Sequence, residues 1–194
     1  MSRVYCALLH HPVKDRAGET VSTAVTNLDV HDIARSARTF ELRRYYVVTP
    51  IEAQHVLVRR IIDHWTLGAG RRRIPERHVA LALCESLASL ELAIADVERR
   101  EGVRPQLVAT AARLTLQRPL TGFAEARARI RSDPAPFLIL FGTGHGLADS
   151  VLAQADLLLE PISGVGADPY NHLSVRAAAA IVLDRLLGTE GGLR

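Results

Sequence analysis

Alternation constrains this chain more than any other feature. Six short apolar runs of β type, VYCALLH (4–10), YYVVTP (45–50), HVALAL (78–83), PQLVATAA (105–112), PFLILFG (136–142) and LLLEPI (157–162), are separated by stretches with helical spacing. Continuous apolar runs belong to strands buried on both faces, which is how a parallel sheet covered by helices on either side reads in sequence. The expected fold class is therefore α/β, a doubly wound, mostly parallel sheet of about six strands with helices on both faces. Among the helices, NLDVHDIARSARTFEL sets Val30, Ile33, Ala34, Ala37 and Phe40 on one stripe, with Asp29 and Asp32 near its positive end. CESLASLELAIADVERREG ends at Gly102, TGFAEARARIRSDP opens at Thr121 as an N-cap, and YNHLSVRAAAAIVLDRLLG opens on Asn171 and stops at Gly188.

At 194 residues and 48% hydrophobic content, the chain is expected to build one core: residues 1–188 as a single domain, with 189–194 a loose tail. No apolar run approaches the roughly 18 residues of a membrane span, and two histidines and a proline follow the first apolar stretch. The reading is a cytoplasmic protein. Cys6 and Cys84 lie within apolar runs, so buried thiols are expected rather than a disulfide, and the scattered histidines show no metal spacing. Net charge is +3, Lys14 is the sole lysine, and GAGRRRIPERH (68–78) collects four arginines and a histidine. That segment reads as an exposed loop, either merely solvated or in contact with phosphates.

Four stretches carry more polarity than folding needs. In TNLDVHDIARSAR (26–38), Asn27, Asp29, His31, Asp32 and Arg35 crowd the opening of a helix, where Arg35 could reach a phosphate. FGTGHGLADSVL (141–152) is a strand, a glycine turn and a helix, without the spacing of a dinucleotide fingerprint. LLLEPISGVGADP (157–169) leaves a strand directly into proline and glycines, and DPYNHLSVR (168–176) loads a helix start with polar side chains. No nucleophile stands beside a base in any of them.

The late stretches FGTGHGLADSVLAQADLLLEPISG and YNHLSVRAAAAIVLDRLL, together with NLDVHDIARSAR, resemble the motifs of the SPOUT superfamily of RNA methyltransferases. The resemblance spans nearly the whole chain and is closest to a stand-alone branch related to a domain fused to some tRNA guanine-N1 methyltransferases. It implies a C-terminal deep trefoil knot, a topology otherwise almost absent from proteins, with S-adenosylmethionine bent within it. By the same resemblance, Thr110, Ala111, Gly142, Thr143, Gly144, Ile162, Gly164, His172 and Leu173 would bind the cofactor, and Arg35, Asn27 and Asp29 would be catalytic. The implied assembly is a homodimer through the knot helices, acting on RNA, with tRNA the expected class. The expected activity is ribose 2′-O-methylation, with base N-methylation or a non-catalytic RNA-binding module as alternatives; a nucleotide- or NAD-binding small-molecule enzyme is the reading from another class.

Methyl transfer asks a protein to align donor and acceptor and to take up a proton. An arginine is too basic for the second task. Arg35 is therefore expected to steer phosphate and stabilise negative charge, and Asp29, His31 or His172 to accept the proton.

Overall fold

A computed structural model describes residues 3–68, 70–111, 118–164 and 172–189. Strands β1 (Val4–Leu9), β4 (Tyr45–Val48), β5 (Cys84–Leu87), β6 (Gln106–Ala109), β7 (Phe137–Gly142) and β8 (Leu157–Leu158) form one sheet in the order β5-β4-β1-β7-β6-β8. Every neighbouring pair is parallel, with Val4 opposite Phe137 and Cys6 opposite Tyr45. A small antiparallel hairpin, β2 (Val13–Lys14) and β3 (Thr20–Val21), follows β1.

Period-two alternation divides the core. Cys6, Leu8, Tyr45, Val47, Val108, Ile139 and Phe141 face α1 (Asn27–Thr39), α2 (Glu52–Thr66), α4 (Pro75–Leu81), α6 (Phe123–Ser132) and α8 (Val175–Leu187). Ala7, Leu9, Tyr46, Val48, Leu107, Leu138 and Leu140 face α5 (Leu90–Glu101) and α7 (Asp149–Gln154) on the other side. Val30, Ile33, Ala34 and Ala37 form the buried stripe of α1, and Phe40 closes it as the C-cap. Cys6 and Cys84 are both buried thiols.

Several expected elements are placed differently. HVALAL is not a strand: His78–Leu81 complete α4, whose first residue is Pro75, and the strand begins at Cys84. A proline with φ preset for the first helical turn outweighs the β propensity of a short apolar run. The expected helix from Cys84 accordingly starts at Leu90, capped by Ser89, and ends on Gly102 at φ 77°. The segment 68–78 is not a loop, because α3 (Gly70–Arg73) and α4 fill most of it. Thr121 does not cap α6. Its N–H bonds Leu158 and its carbonyl receives Glu160, so it extends the sheet edge, and Gly122 takes the cap position. Ser174 caps α8 through Ala177 N–H; Asn171 lies outside the described residues, as does the tail from 190. Residues 112–117 after β6 and 165–171 after β8, within the stretch expected to form the knot, also lie outside them.

Candidate functional site

In a parallel sheet all strands point their carboxyl ends to one side, where loops and helix N-termini gather. Here the exits of β6, β7 and β8 and the starts of α1 and α8 enclose a cavity of about 1130 Å³. Thr110 and Ala111 come from the first exit, Gly142, Thr143 and Gly144 from the second, Ile162 from the third, and His172 and Leu173 from the approach to α8. Asp29 joins them from α1. Gly164 is exposed and is not part of the wall. Phe123, Phe141, Leu159 and Val182 supply apolar surface, while Glu160, Arg16 and Arg176 supply charge.

The glycine turn owes its composition to its own folding. A Cβ on Gly142 would lie 2.6 Å from Leu147 N, and one on Gly144 would lie 2.8 Å from Lys14 O. Gly144 and Gly146 adopt φ of 60° and 107°, which side chains other than glycine rarely take. The turn thus presses onto hairpin β2–β3, where Lys14 N–H bonds Gly146 O and His145 N–H bonds Lys14 O.

Beneath the turn runs a half-buried hydroxyl chain. Thr143 Oγ1 donates to Leu9 O at 3.1 Å, so it accepts from Thr23 Oγ1, which in turn accepts from His10 Nδ1 at 3.0 Å. That order places the proton of His10 on Nδ1 and leaves its buried Nε2 without a partner among the described residues. Burial lowers the His10 pKa to about 4, against the opposing pull of Asp29, so the imidazole is neutral. Thr110 Oγ1 likewise donates to Leu140 O at 2.8 Å. The hydroxyls lining the cavity are therefore fixed by the sheet.

The three α1 residues singled out in sequence part company. Asp29 is 5% exposed and faces the cavity, held by Thr26 Oγ1 at 2.6 Å and Arg176 Nη1 at 2.9 Å. Asn27 and Arg35 line a different hollow of about 700 Å³, between α1, α2 and α4. Six residues along an α-helix amount to a turn of about 600°, so Asp29 and Arg35 project about 120° apart, whereas Asn27, His31 and Arg35 share a face. Arg35 is exposed, with Asp32 at 3.8 Å.

Arg176 is the residue the sequence reading passed over. Its Nε also lies 3.4 Å from Asp32, so an ionic chain runs Arg35, Asp32, Arg176, Asp29 from hollow to cavity. The available signal was a single charge at the head of an alanine block, VRAAAA. Among the three candidate proton acceptors, Asp29 has both oxygens engaged and His31 lies in the hollow. His172 lies on the cavity wall and is exposed.

Comparison with known proteins shows the family of the chain. The profile of a family described as SAM-dependent RNA methyltransferase matches residues 3–188. A tRNA (guanine-N(1)-)-methyltransferase of Oleidesulfovibrio alaskensis is 47% identical over 185 residues, covering 95% of this chain and 42% of that protein. The chain thus spans less than half the length of that relative. An uncharacterized protein of Aquifex aeolicus is 42% identical over 94% of this chain and 87% of its own length. Among solved structures, the A. aeolicus TrmH/SpoU tRNA modifying enzyme superposes with a TM-score of 0.54 at 13% identity, covering 96% of this chain and 75% of that one.

Proposed function

The chain belongs to the SAM-dependent RNA methyltransferases of the SPOUT class, and from that premise we propose that it binds S-adenosylmethionine in the cavity at the strand ends and methylates tRNA, with residues 1–188 acting as one domain. The observation that carries this reading is convergence: Thr110, Gly142, Ile162 and His172, drawn from four separate segments, line one cavity. Its make-up fits the donor. A nucleoside and a thioether-like chain need an apolar bed, which Phe123, Phe141, Leu159 and Ile162 provide, and backbone polar groups at three strand exits can meet an adenine edge. Glu160 and Arg16 on the same wall would meet the donor's sulfonium and carboxylate, while Asp29 and Arg176 already neutralise one another.

When bound, the donor supplies an electrophilic methyl group. The protein's part is to hold, align and manage a proton. The hydroxyls of Thr110, Thr143 and Thr23, anchored to Leu140, Leu9 and His10, keep the cavity wall in place. His172, on that wall, is the residue we assign to accept the acceptor's proton, and Arg35 the one that stabilises negative charge on the RNA. The acceptor we propose is a ribose 2′-hydroxyl, the activity that the resemblance implies, with Arg35 as the cation beside it. The name of the O. alaskensis relative supports a second reading, methylation of a guanine base nitrogen.

The site's partner is RNA, and such an enzyme works where tRNA is found, in the cytoplasm; no helix among the described residues is long and apolar enough to cross a membrane. Mass spectrometry of nucleosides from tRNA incubated with protein and S-adenosylmethionine tests the proposal. A 2′-O-methylated nucleoside supports the first acceptor and 1-methylguanosine the second. Absence of any methylated nucleoside, with no binding of S-adenosylhomocysteine in calorimetry, overturns both.

A further inference from the structure

The hollow between α1, α2 and α4 has a charge pattern that the donor cavity does not. Arg35, Arg60 and Arg77 converge on it from three helices, with His31 and His64 between them. Asp32 is the one carboxylate on its wall, and it already faces Arg35 and Arg176. Among the described residues, no carboxylate lies within ion-pair distance of Arg60 or Arg77.

Within the hollow, Trp65 is packed on several sides. The Arg77 guanidinium sits 4.6 Å from the centre of its ring, and His31 and His64 meet it edge-on. On the side of α3, a Cβ on Gly70 would lie 2.7 Å from Trp65 Cε3, so that backbone packs directly on the indole. An indole so occupied is a mount for a cation, not a platform for an incoming base. His31 registers the resulting field: burial first, then Arg77, hold it below its ordinary pKa.

We infer that this hollow is a docking site for a phosphodiester of the RNA strand, contacted by Arg60 and Arg77 and separate from the donor cavity. A polymer fits better than a small phosphate compound because the positive surface continues. Through Gly70 the exposed Arg71, Arg72 and Arg73 of α3 extend it past the hollow. Asp32, shared with Arg176, fixes the hollow relative to the donor cavity. The inference rests on RNA being the substrate, as proposed above.

Fluorescence anisotropy with labelled bulk tRNA over a series of salt concentrations tests it, with S-adenosylhomocysteine calorimetry on the same samples. Arg60→Gln is expected to weaken tRNA binding roughly three- to ten-fold and to lower the salt slope by about one, and Arg60→Gln with Arg77→Gln to lower it by about two. Donor-product affinity stays unchanged. Arg60 is exposed, so the single variant decides the matter if the double variant fails to fold. Wild-type affinity and slope in folded Arg60→Gln overturn the site. So does a wild-type protein that binds no tRNA, or inorganic pyrophosphate whose binding requires Arg60 while tRNA binding does not. If Arg60→Gln weakens tRNA binding but the wild type binds no S-adenosylhomocysteine, the docking site stands and the methyltransferase reading falls.

Discussion

Asp29 sits at 5% exposure with two donors on its oxygens, so its first duty is structural. Replacing it by alanine removes the return bond to Thr26 and leaves Arg176 with Asp32 alone. A loss of about 2 to 3 kcal/mol in urea unfolding is expected, discounted because Arg176 is partly solvated. Arg35→Ala should behave oppositely, because its exposed side chain lies outside the donor cavity. Methyl transfer to tRNA should fall at least a hundredfold, the scale of a lost charge-stabilising group. Calorimetric affinity for S-adenosylhomocysteine should stay within error; parallel loss of both would show that Arg35 only supports the fold. His10 yields a pH prediction. Its pKa of about 4 in the folded chain lies below the unfolded value of 6.5, so the unfolded chain takes up the proton first as pH falls. Stability is intact above about pH 6.5 and declines towards pH 4 by on the order of 3 kcal/mol. His10→Gln should flatten that decline in urea titrations at the two ends of the window. At this scale the sequence showed which residue types gather at which loops. It did not show which way each points, since Asn27, Asp29 and Arg35 are neighbours in the chain but divide around the helix axis.

Elements were legible where period and punctuation agreed. The buried stripe of α1, Gly102 after α5 and Gly188 after α8 stand where apolar spacing and helix stops put them. Legibility failed at His78–Leu83, where an apolar run too short to declare its period followed a proline that had already committed the chain to a helix. It failed again at β2 and β3, each only two residues long, which leave no alternation to read. That hairpin matters because the glycine turn leans on it. In Gly144→Ala the new methyl meets Lys14 O, and the backbone at φ 60° is strained besides. We expect a loss of about 1 to 3 kcal/mol in thermal unfolding and weaker donor-product binding in calorimetry. A variant as stable as the wild type would mean that the hairpin yields freely.

For the whole molecule, the alternating pattern was enough for a parallel sheet of six strands, but no local signal could give their order. Order is decided by which edges meet, and those contacts join residues as far apart as Val4 and Phe137. Assembly beyond one chain was expected through the last helix. Val175, Ala177, Ala178 and Ile181 on α8 are only half buried. If α8 does join two copies, light scattering on a sizing column should give twice the chain mass, and Ile181→Arg should halve it without unfolding; a monomeric wild type refutes the pairing.

The order of the strands also has a consequence for synthesis. Among the described residues β7, which follows both in the chain, is the strand that joins β1 to β6. Until β7 is translated, the paired strands β5-β4-β1 end in an open border at β1, and β6 has no neighbour at all because β8 comes later still, so both are templates for stray pairing. That strand is the keystone, so a transcript cut short ahead of it yields a sticky remnant, not a smaller version of the fold.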